Sequence, residues 1–126
     1  MDGVKYVSVH ESGIYPGTGE IEPEVANIQK ISVPSDCTAG DWLQSIGTGL
    51  DFLIGERTEM LIVSIGYDGL SGDQLGGMQL SPADYGDAVR LIQGRFAASK
   101  TMYGLEGGYN LGEIAQASRE TMIALL

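Results

Sequence analysis

Hydrophobic and polar residues follow one another along the chain in patterns that predict four strands. Residues 4–10 alternate and are rich in β-branched and aromatic side chains, which is typical of a half-buried strand. A second, short strand is predicted at 31–34, where a proline closes it. The apolar run 60–65 is typical of a strand buried on both faces of a parallel sheet, and residues 101–105 predict a further short strand.

Apolar side chains at helical spacing predict three helices, at about 39–56, 81–96 and 110–126. The second has the clearest start, because Ser81 can cap it and Pro82 suits the first helical position. The predicted buried stripes are Trp42, Ile46, Leu50, Leu53 and Ile54 in the first helix, Tyr85, Val89, Ile92 and Phe96 in the second, and Leu111, Ile114, Ser118, Met122 and Leu125 in the third.

The alternation of strands and helices predicts a single domain over residues 1–126, with a mostly parallel sheet in a three-layer α/β arrangement. A chain of this length can bury roughly two-thirds of its unfolded surface, so we expect one core. In parallel sheets, sites lie beyond the carboxyl ends of the strands. This rule points to two loops, 66–77 and 106–110.

Composition narrows the class of protein. The chain has 43% hydrophobic and 19% charged residues, as globular domains do, and its longest apolar run is far short of the ~20 residues that a membrane helix needs. Cys37 is the only cysteine, which excludes an internal disulfide and predicts a reducing, intracellular location, cytoplasm or nucleus.

The charge is strongly acidic, with seven Lys and Arg against 17 Asp and Glu and a formal net charge of −10. Such a balance argues against direct binding to nucleic acid or anionic membranes. It favours cationic partners such as basic peptides, although an acidic surface that only maintains solubility is the simpler interpretation.

Histidine is scarce, since His10 is the only one in the chain. Any mechanism that needs two histidines from this chain is therefore excluded. A lone histidine at the end of a predicted strand is more often structural than catalytic, and we expect that of His10.

Short motifs follow the predicted strands. They are Tyr6-Val7-Ser8-Val9-His10 with Tyr15-Pro16-Gly17-Thr18-Gly19, then Val63-Ser64-Ile65-Gly66-Tyr67-Asp68, Gly72-Asp73-Gln74-Leu75-Gly76-Gly77, and Leu105-Glu106-Gly107-Gly108-Tyr109-Asn110. Each is weak alone, but in this order they cover nearly the whole chain. Together they resemble the histone deacetylase family, in a form closer to class II and bacterial members than to class I.

The resemblance implies an arginase-like α/β fold and the zinc-dependent hydrolysis of acetyl-lysine amides, with an acetylated peptide or protein such as a histone as partner. Asp68 falls where the family has a zinc-ligating aspartate, and Tyr109 falls where a tyrosine hydroxyl donates to the developing oxyanion. The remaining matched positions are Tyr15, Leu75, Gly107 and Gly108 in the channel for the lysine side chain, and Ser8 and Val9 at a monovalent-cation (potassium) site.

The departures from the family are as informative as the matches. The tandem histidines of the general base and the Asp-x-His that supplies two zinc ligands precede, in the family, the strand matched by residues 4–10. The resemblance therefore implies that residues 1–126 are the C-terminal part of a deacetylase domain, without stable zinc or activity as a separate chain. It also implies an uncovered sheet edge that promotes self-association. Gln74 replaces the usual proline, and segment 20–29 is shorter than is typical.

Three functions stay open on the sequence. The chain is a fragment of a working deacetylase, a degenerate paralogue that acts as an interaction module, or a fragment of an acetylpolyamine or acetoin-type amidohydrolase. From spacing alone, a turn cap is the favoured role of Asp68, and the family resemblance is what favours ancestry from a zinc ligand; Tyr109 could simply pack where a helix begins. The choice between histone, other protein and polyamine as substrate is not encoded in these motifs.

Overall fold

The computed structural model describes residues 3–14, 17 and 25–126, and within them four strands and three α-helices follow the predicted order. A 3₁₀ turn, Ala98–Lys100, precedes the last strand. The elements are β1 Tyr6–Glu11, β2 Ile28–Val33, α1 Ala39–Leu53, β3 Leu61–Ile65, α2 Pro82–Arg95, β4 Thr101–Leu105 and α3 Leu111–Ala124.

All strand pairing within residues 3–14 and 25–126 is parallel, as predicted for an α/β fold. β1 pairs with β2 from Tyr6 opposite Ile28, and β3 pairs with β4 from Leu61 opposite Thr101. Over the described residues the two pairs form separate two-stranded sheets. An open cleft of about 2060 Å³ is lined by both β1 and β3. The strand edges that face this cleft carry no partner from the described part of the chain.

Helix α1 packs as its apolar stripe predicts, with Leu50 buried against β3 and α2. Gly49 permits a close approach to β1, because a Cβ there would lie 2.6 Å from Val7 Cγ1. The helix ends at Leu53, three residues earlier than predicted. The Thr58 hydroxyl forms a turn there, accepting from the Gly55 N–H and donating to the Leu53 carbonyl.

Helix α2 begins where the sequence places its cap. The backbone N–H of Ser81 donates to the Asp84 carboxylate over 2.7 Å, and Pro82 is the first helical residue. Of the predicted stripe, Tyr85, Val89 and Ile92 are buried, and Phe96 is partly buried against the core. None of the described helices has the length and apolar character needed to span a membrane.

The predicted buried face of α3 is partly wrong. Leu111 is 82% exposed and Met122 is 60% exposed, whereas Ala117 and Thr121 are buried. The reason is close packing against α2, where a Cβ on Gly86 would lie 3.3 Å from the Glu120 carbonyl oxygen. Only small side chains fit at such a separation, so the contact face is the one that carries Ala117 and Thr121.

Burial of β3 on both faces is also not observed. Leu61 is buried with Leu50 and Ile92, but Ile62, on the opposite face, is 66% exposed, and Met102 of β4 is exposed as well. The described helices cover one face of this strand pair, and the apolar run marks a second face that nothing in the described part of the chain covers.

Candidate functional site

The two predicted site loops meet at the carboxyl ends of β3 and β4. The Glu106 N–H donates to the Ile65 carbonyl over 2.8 Å, and the Tyr67 N–H donates to the Gly107 carbonyl over 2.7 Å. These bonds continue the pairing of the strands past their ends. Residues 66–77 and 106–110 are therefore held side by side, as the strand order predicts.

Asp68 lies in a space made by glycines. A Cβ on Gly66 would lie 2.5 Å from Asp68 Oδ1, and one on Gly107 would lie 3.6 Å from the carboxylate carbon. A Cβ on Gly76 would overlap the carbonyl oxygen of Asp68. The carboxylate thus lies against the backbone of Gly66 and Gly107, directly beside the loop that carries Tyr109.

A cluster of aromatic rings packs beside the loop that carries Asp68. Tyr85 is buried, and its ring centroid lies 5.0 Å from that of Tyr67 and 5.2 Å from that of Trp42. Burial, and secondarily the negative charge of Asp68, raise the pKa of Tyr85 well above its usual value, so its hydroxyl stays neutral. The Tyr67 hydroxyl donates to Thr121 Oγ1 over 3.0 Å, which ties α3 to the same cluster.

Tyr109 is anchored by its backbone. Its side chain is 49% exposed, and its N–H donates to Asp73 Oδ2 over 2.7 Å. Gly108, just before it, has a φ of +133°, and a Cβ there would lie 2.8 Å from Tyr67 Cβ. Glycine is required at 108 on both grounds. The tyrosine ring is therefore presented on an ordered backbone and remains accessible.

Leu75 also projects outward, since its side chain is 67% exposed. Its N–H and that of Gly76 donate to Asp73 Oδ1 over 2.9 and 3.1 Å. Asp73 lies inside one of the motifs that carry the family resemblance, but the sequence does not indicate its contact with Tyr109. The only local signal is an aspartate before a glycine-rich turn, which predicts the two nearby bonds and no more.

Glu11 is a second residue that the sequence does not single out. It is buried at the end of β1, and its carboxylate accepts the Gly77 N–H over 2.8 Å. The contact joins β1 to the loop after β3 across the fold. Because 66 positions separate the two residues, local patterning carries no signal for it.

Of the remaining predicted positions, Ser8 and Val9 lie on β1, beside His10. Ser8 Oγ is 3.0 Å from Nδ1 of His10, and Ser32 Oγ is 3.2 Å from Nε2, so the imidazole bridges β1 and β2 as a structural histidine would. Val9 packs against the core below the site. Tyr15 lies outside the described residues.

Asp68 does not form a zinc site with its neighbours. Residues 3–14, 17 and 25–126 contain no group of three or more His, Cys, Asp or Glu side chains that could hold a metal ion. Catalytic zinc takes three protein ligands and an open position. The donors of the described residues thus do not fit a complete zinc site, although Asp68 offers one oxygen ligand of a suitable kind.

These features define a class: a parallel α/β domain with an aspartate and a tyrosine on adjoining loops at the carboxyl ends of its strands. The sequence model of the histone deacetylase domain family matches residues 1–125. The chain therefore belongs to this family. Zinc dependence is general to the family.

Relatives support the assignment. The chain is 31% identical to an uncharacterised protein of Synechocystis, which it matches over 96% of its own length and 40% of that protein. It is 32% identical to histone deacetylase clr3 of Schizosaccharomyces pombe, over 98% of this chain and 20% of that protein. The chain thus spans less than half of each of these relatives.

Solved structures confirm the arginase/deacetylase fold. The HDA15 HD domain superposes with a TM-score of 0.79 at 27% identity, covering 97% of this chain and 38% of that one. An acetylpolyamine aminohydrolase from Burkholderia pseudomallei superposes with a TM-score of 0.82 at 20% identity, over 97% and 37%, and this similarity shows the fold alone.

Proposed function

We propose that this chain contributes the loops of Asp68 and Tyr109 to the active site of a zinc-dependent lysine deacetylase. The observation that supports the proposal is the junction of these loops, held by the bond from the Tyr67 N–H to the Gly107 carbonyl, in a chain that matches the family over residues 1–125. Acetylated lysine in histones or other proteins is the proposed substrate class, and a charge of −10 favours basic peptides.

Tyr109 is proposed to act through its hydroxyl. A donor that is fixed before reaction stabilises negative charge that develops on the substrate oxygen only in the transition state. The anchored backbone and accessible ring suit such a donor.

The substrate channel is proposed to pass Tyr15, Leu75, Gly107 and Gly108. The exposed Leu75 offers apolar surface for the methylene stem of a lysine side chain, and Gly107 and Gly108 place no side chain in its way. Ser8 and Val9 are proposed to supply oxygen ligands to a monovalent cation, and cytoplasm or nucleus is the proposed location.

Asp68 is proposed as one of three protein ligands to zinc. The other two ligands and the general base are proposed to come from the part of a deacetylase domain that lies outside residues 1–126. On this proposal the chain supplies a necessary share of the site and not the whole of it.

Zinc content of a chimera tests this division. Residues 1–126 would replace the matching 38% of the HDA15 HD domain. We expect one zinc per folded chimera, loss of zinc in Asp68→Asn, and full zinc in Tyr109→Phe and in the surface control Asp87→Asn. Cooperative thermal melting establishes that each protein is folded. Zinc retained by the folded Asp68→Asn chimera would contradict the assignment.

For the 126-residue chain alone we expect no turnover. A single carboxylate cannot supply the three-ligand platform, and without the general base a contribution of ~10²–10⁴-fold is also missing. The measurement is a fluorogenic acetyl-lysine assay with added zinc, compared with a metal-free control. Turnover that Asp68→Asn or Tyr109→Phe abolishes would show that the missing ligands reach this chain by another route.

A further inference from the structure

The carboxylate of Asp73 joins the two site loops. Oδ1 accepts the N–H groups of Leu75 and Gly76, at 2.9 and 3.1 Å, and Oδ2 accepts the N–H of Tyr109 at 2.7 Å. One side chain thus binds the backbone of a proposed channel residue and the backbone of the proposed oxyanion donor. The Asn110 side chain adds a second link, donating to the Ser71 carbonyl over 3.1 Å.

The electrostatics favour a charged Asp73. Partial burial alone would raise the pKa of this carboxyl group, but the backbone N–H groups of Leu75, Tyr109, Gly76 and Asn110 outweigh burial and hold the pKa below its usual value. The side chain is therefore ionised at neutral pH. Hydrogen bonds from N–H groups to an ionised carboxylate are shorter and stronger than those between neutral groups.

A local turn explains only part of this arrangement. An aspartate commonly accepts the N–H groups two and three residues ahead, which accounts for Leu75 and Gly76. It does not account for Tyr109, which is 36 positions away. The second oxygen of Asp73 is directed across to the other loop.

The side chains that depend on this link have little other support. Leu75 and Tyr109 are both largely exposed, so packing does not fix them. Gly76 and Gly108, beside them, lie against Asp68 and Tyr67 and have no side chains that could hold Leu75 or Tyr109. The Tyr67–Gly107 and Asn110–Ser71 bonds hold the two loops together, and the backbone bonds to Asp73 are the ones made at Leu75 and Tyr109 themselves.

We propose that Asp73 is a positioning residue that sets the distance and orientation between the Leu75 channel wall and the Tyr109 hydroxyl. The inference rests on the proposed function for its catalytic consequence. In this arrangement the Asp73 carboxylate binds backbone N–H groups. On the proposal it does not touch the substrate, and its effect on the reaction is exerted through Tyr109. A misplacement of a reacting group by about 1 Å can cost about 10²-fold in rate, so a residue of this kind affects kcat strongly.

The structural half of the proposal is tested in the 126-residue chain by hydrogen exchange at single amides. In Asp73→Asn and Asp73→Ala we expect the amides of Leu75, Gly76 and Tyr109 to exchange about tenfold faster or more. These amides would no longer have to break a hydrogen bond to Asp73 before they exchange. Amides of the β3–β4 pairing should keep their protection and so show that the fold is intact. Asp87→Asn, which removes an equal charge on α2, should change none of them. An unchanged Tyr109 amide in both Asp73 variants overturns the proposal.

The catalytic half is tested in the chimera with the HDA15 HD domain. We expect Asp73→Asn to lower kcat by about 10²-fold at unchanged zinc content, and to have little further effect in a Tyr109→Phe background, where the hydroxyl it positions is gone. An equal loss in both backgrounds overturns the positioning role. If Tyr109→Phe alone leaves kcat at the parent value, the proposed function fails, and the exchange result still decides whether Asp73 joins the loops.

Discussion

Backbone geometry at a few glycines allows the two site loops to approach each other. Gly108 has a left-handed φ and lies against Tyr67, while Gly76 lies against the carbonyl oxygen of Asp68. A side chain at Gly108 would push the two loops apart, and one at Gly76 would open the Asp68 loop itself, before any catalytic group changed. Motif matching identifies these glycines, and the structure supplies the physical reason for them.

Replacing Gly108 by alanine should therefore destabilise the chain. Alanine at φ +133° is strained, and its Cβ would press on the buried Tyr67 at 2.8 Å. Strained backbone of this kind costs about 1–3 kcal/mol, which urea denaturation can measure. Gly94→Ala is the matched control, because position 94 is helical with no atom within 4 Å, and there we expect no loss or a gain of up to about 1 kcal/mol. Equal effects of the two substitutions would contradict this explanation.

Helix starts and buried helix faces were predictable from the sequence where residues close together in the chain decide them. The cap at Ser81 and the stripes of α1 and α2 are local, and the structure confirms them. Helix α3 shows the limit of such prediction. Its apolar periodicity favours the face of Leu111 and Met122, but the short distance to α2 selects the face with small side chains. Periodicity does not encode the distance between two helices.

The bond from Tyr67 to Thr121 holds α3 to the loop of Asp68, and both residues are buried. Tyr67→Phe leaves the Thr121 hydroxyl without this partner, and we expect a loss of about 1–2 kcal/mol in the free energy of unfolding. Removing both hydroxyls, in Tyr67→Phe with Thr121→Val, should restore part of that loss, because no buried polar group then lacks its bond. Chemical denaturation of the parent, Tyr67→Phe, Thr121→Val and the double variant gives the coupling energy between the two hydroxyls. Strictly additive losses would show that the hydroxyls do not interact.

Candidate site residues were predictable to the extent that family motifs contain them. Asp68 and the 107–109 segment belong to motifs, and strand order alone brings their loops together. Asp73 and Glu11 act through contacts across 36 and 66 positions, and such contacts follow from tertiary structure rather than from spacing. The sequence therefore indicates the groups at the site but not the residues that hold them in place.

At the scale of the molecule, two strand edges at the cleft and the apolar face of β3 and β4, with Ile62 and Met102 exposed, are left uncovered by the residues that the structure describes. Open edges and apolar patches of this kind promote association. We expect the 126-residue chain to elute in size-exclusion chromatography as species whose size rises with concentration. Ile62→Lys with Met102→Lys should reduce this association, while the surface control Arg90→Lys should not. A monomer that resists concentration and melts cooperatively would contradict the expectation.

Steady-state deacetylation by the chimera with the HDA15 HD domain tests the central claim most directly, namely that Asp68 and Tyr109 belong to one active site. With an acetyl-lysine peptide, we expect Tyr109→Phe to lower kcat by about 10²–10³-fold, as loss of one oxyanion donor does, with zinc content unchanged. Asp68→Asn should abolish turnover together with zinc binding, and Asp87→Asn should match the parent. Parental kcat in the folded, zinc-loaded Tyr109→Phe chimera would contradict the account.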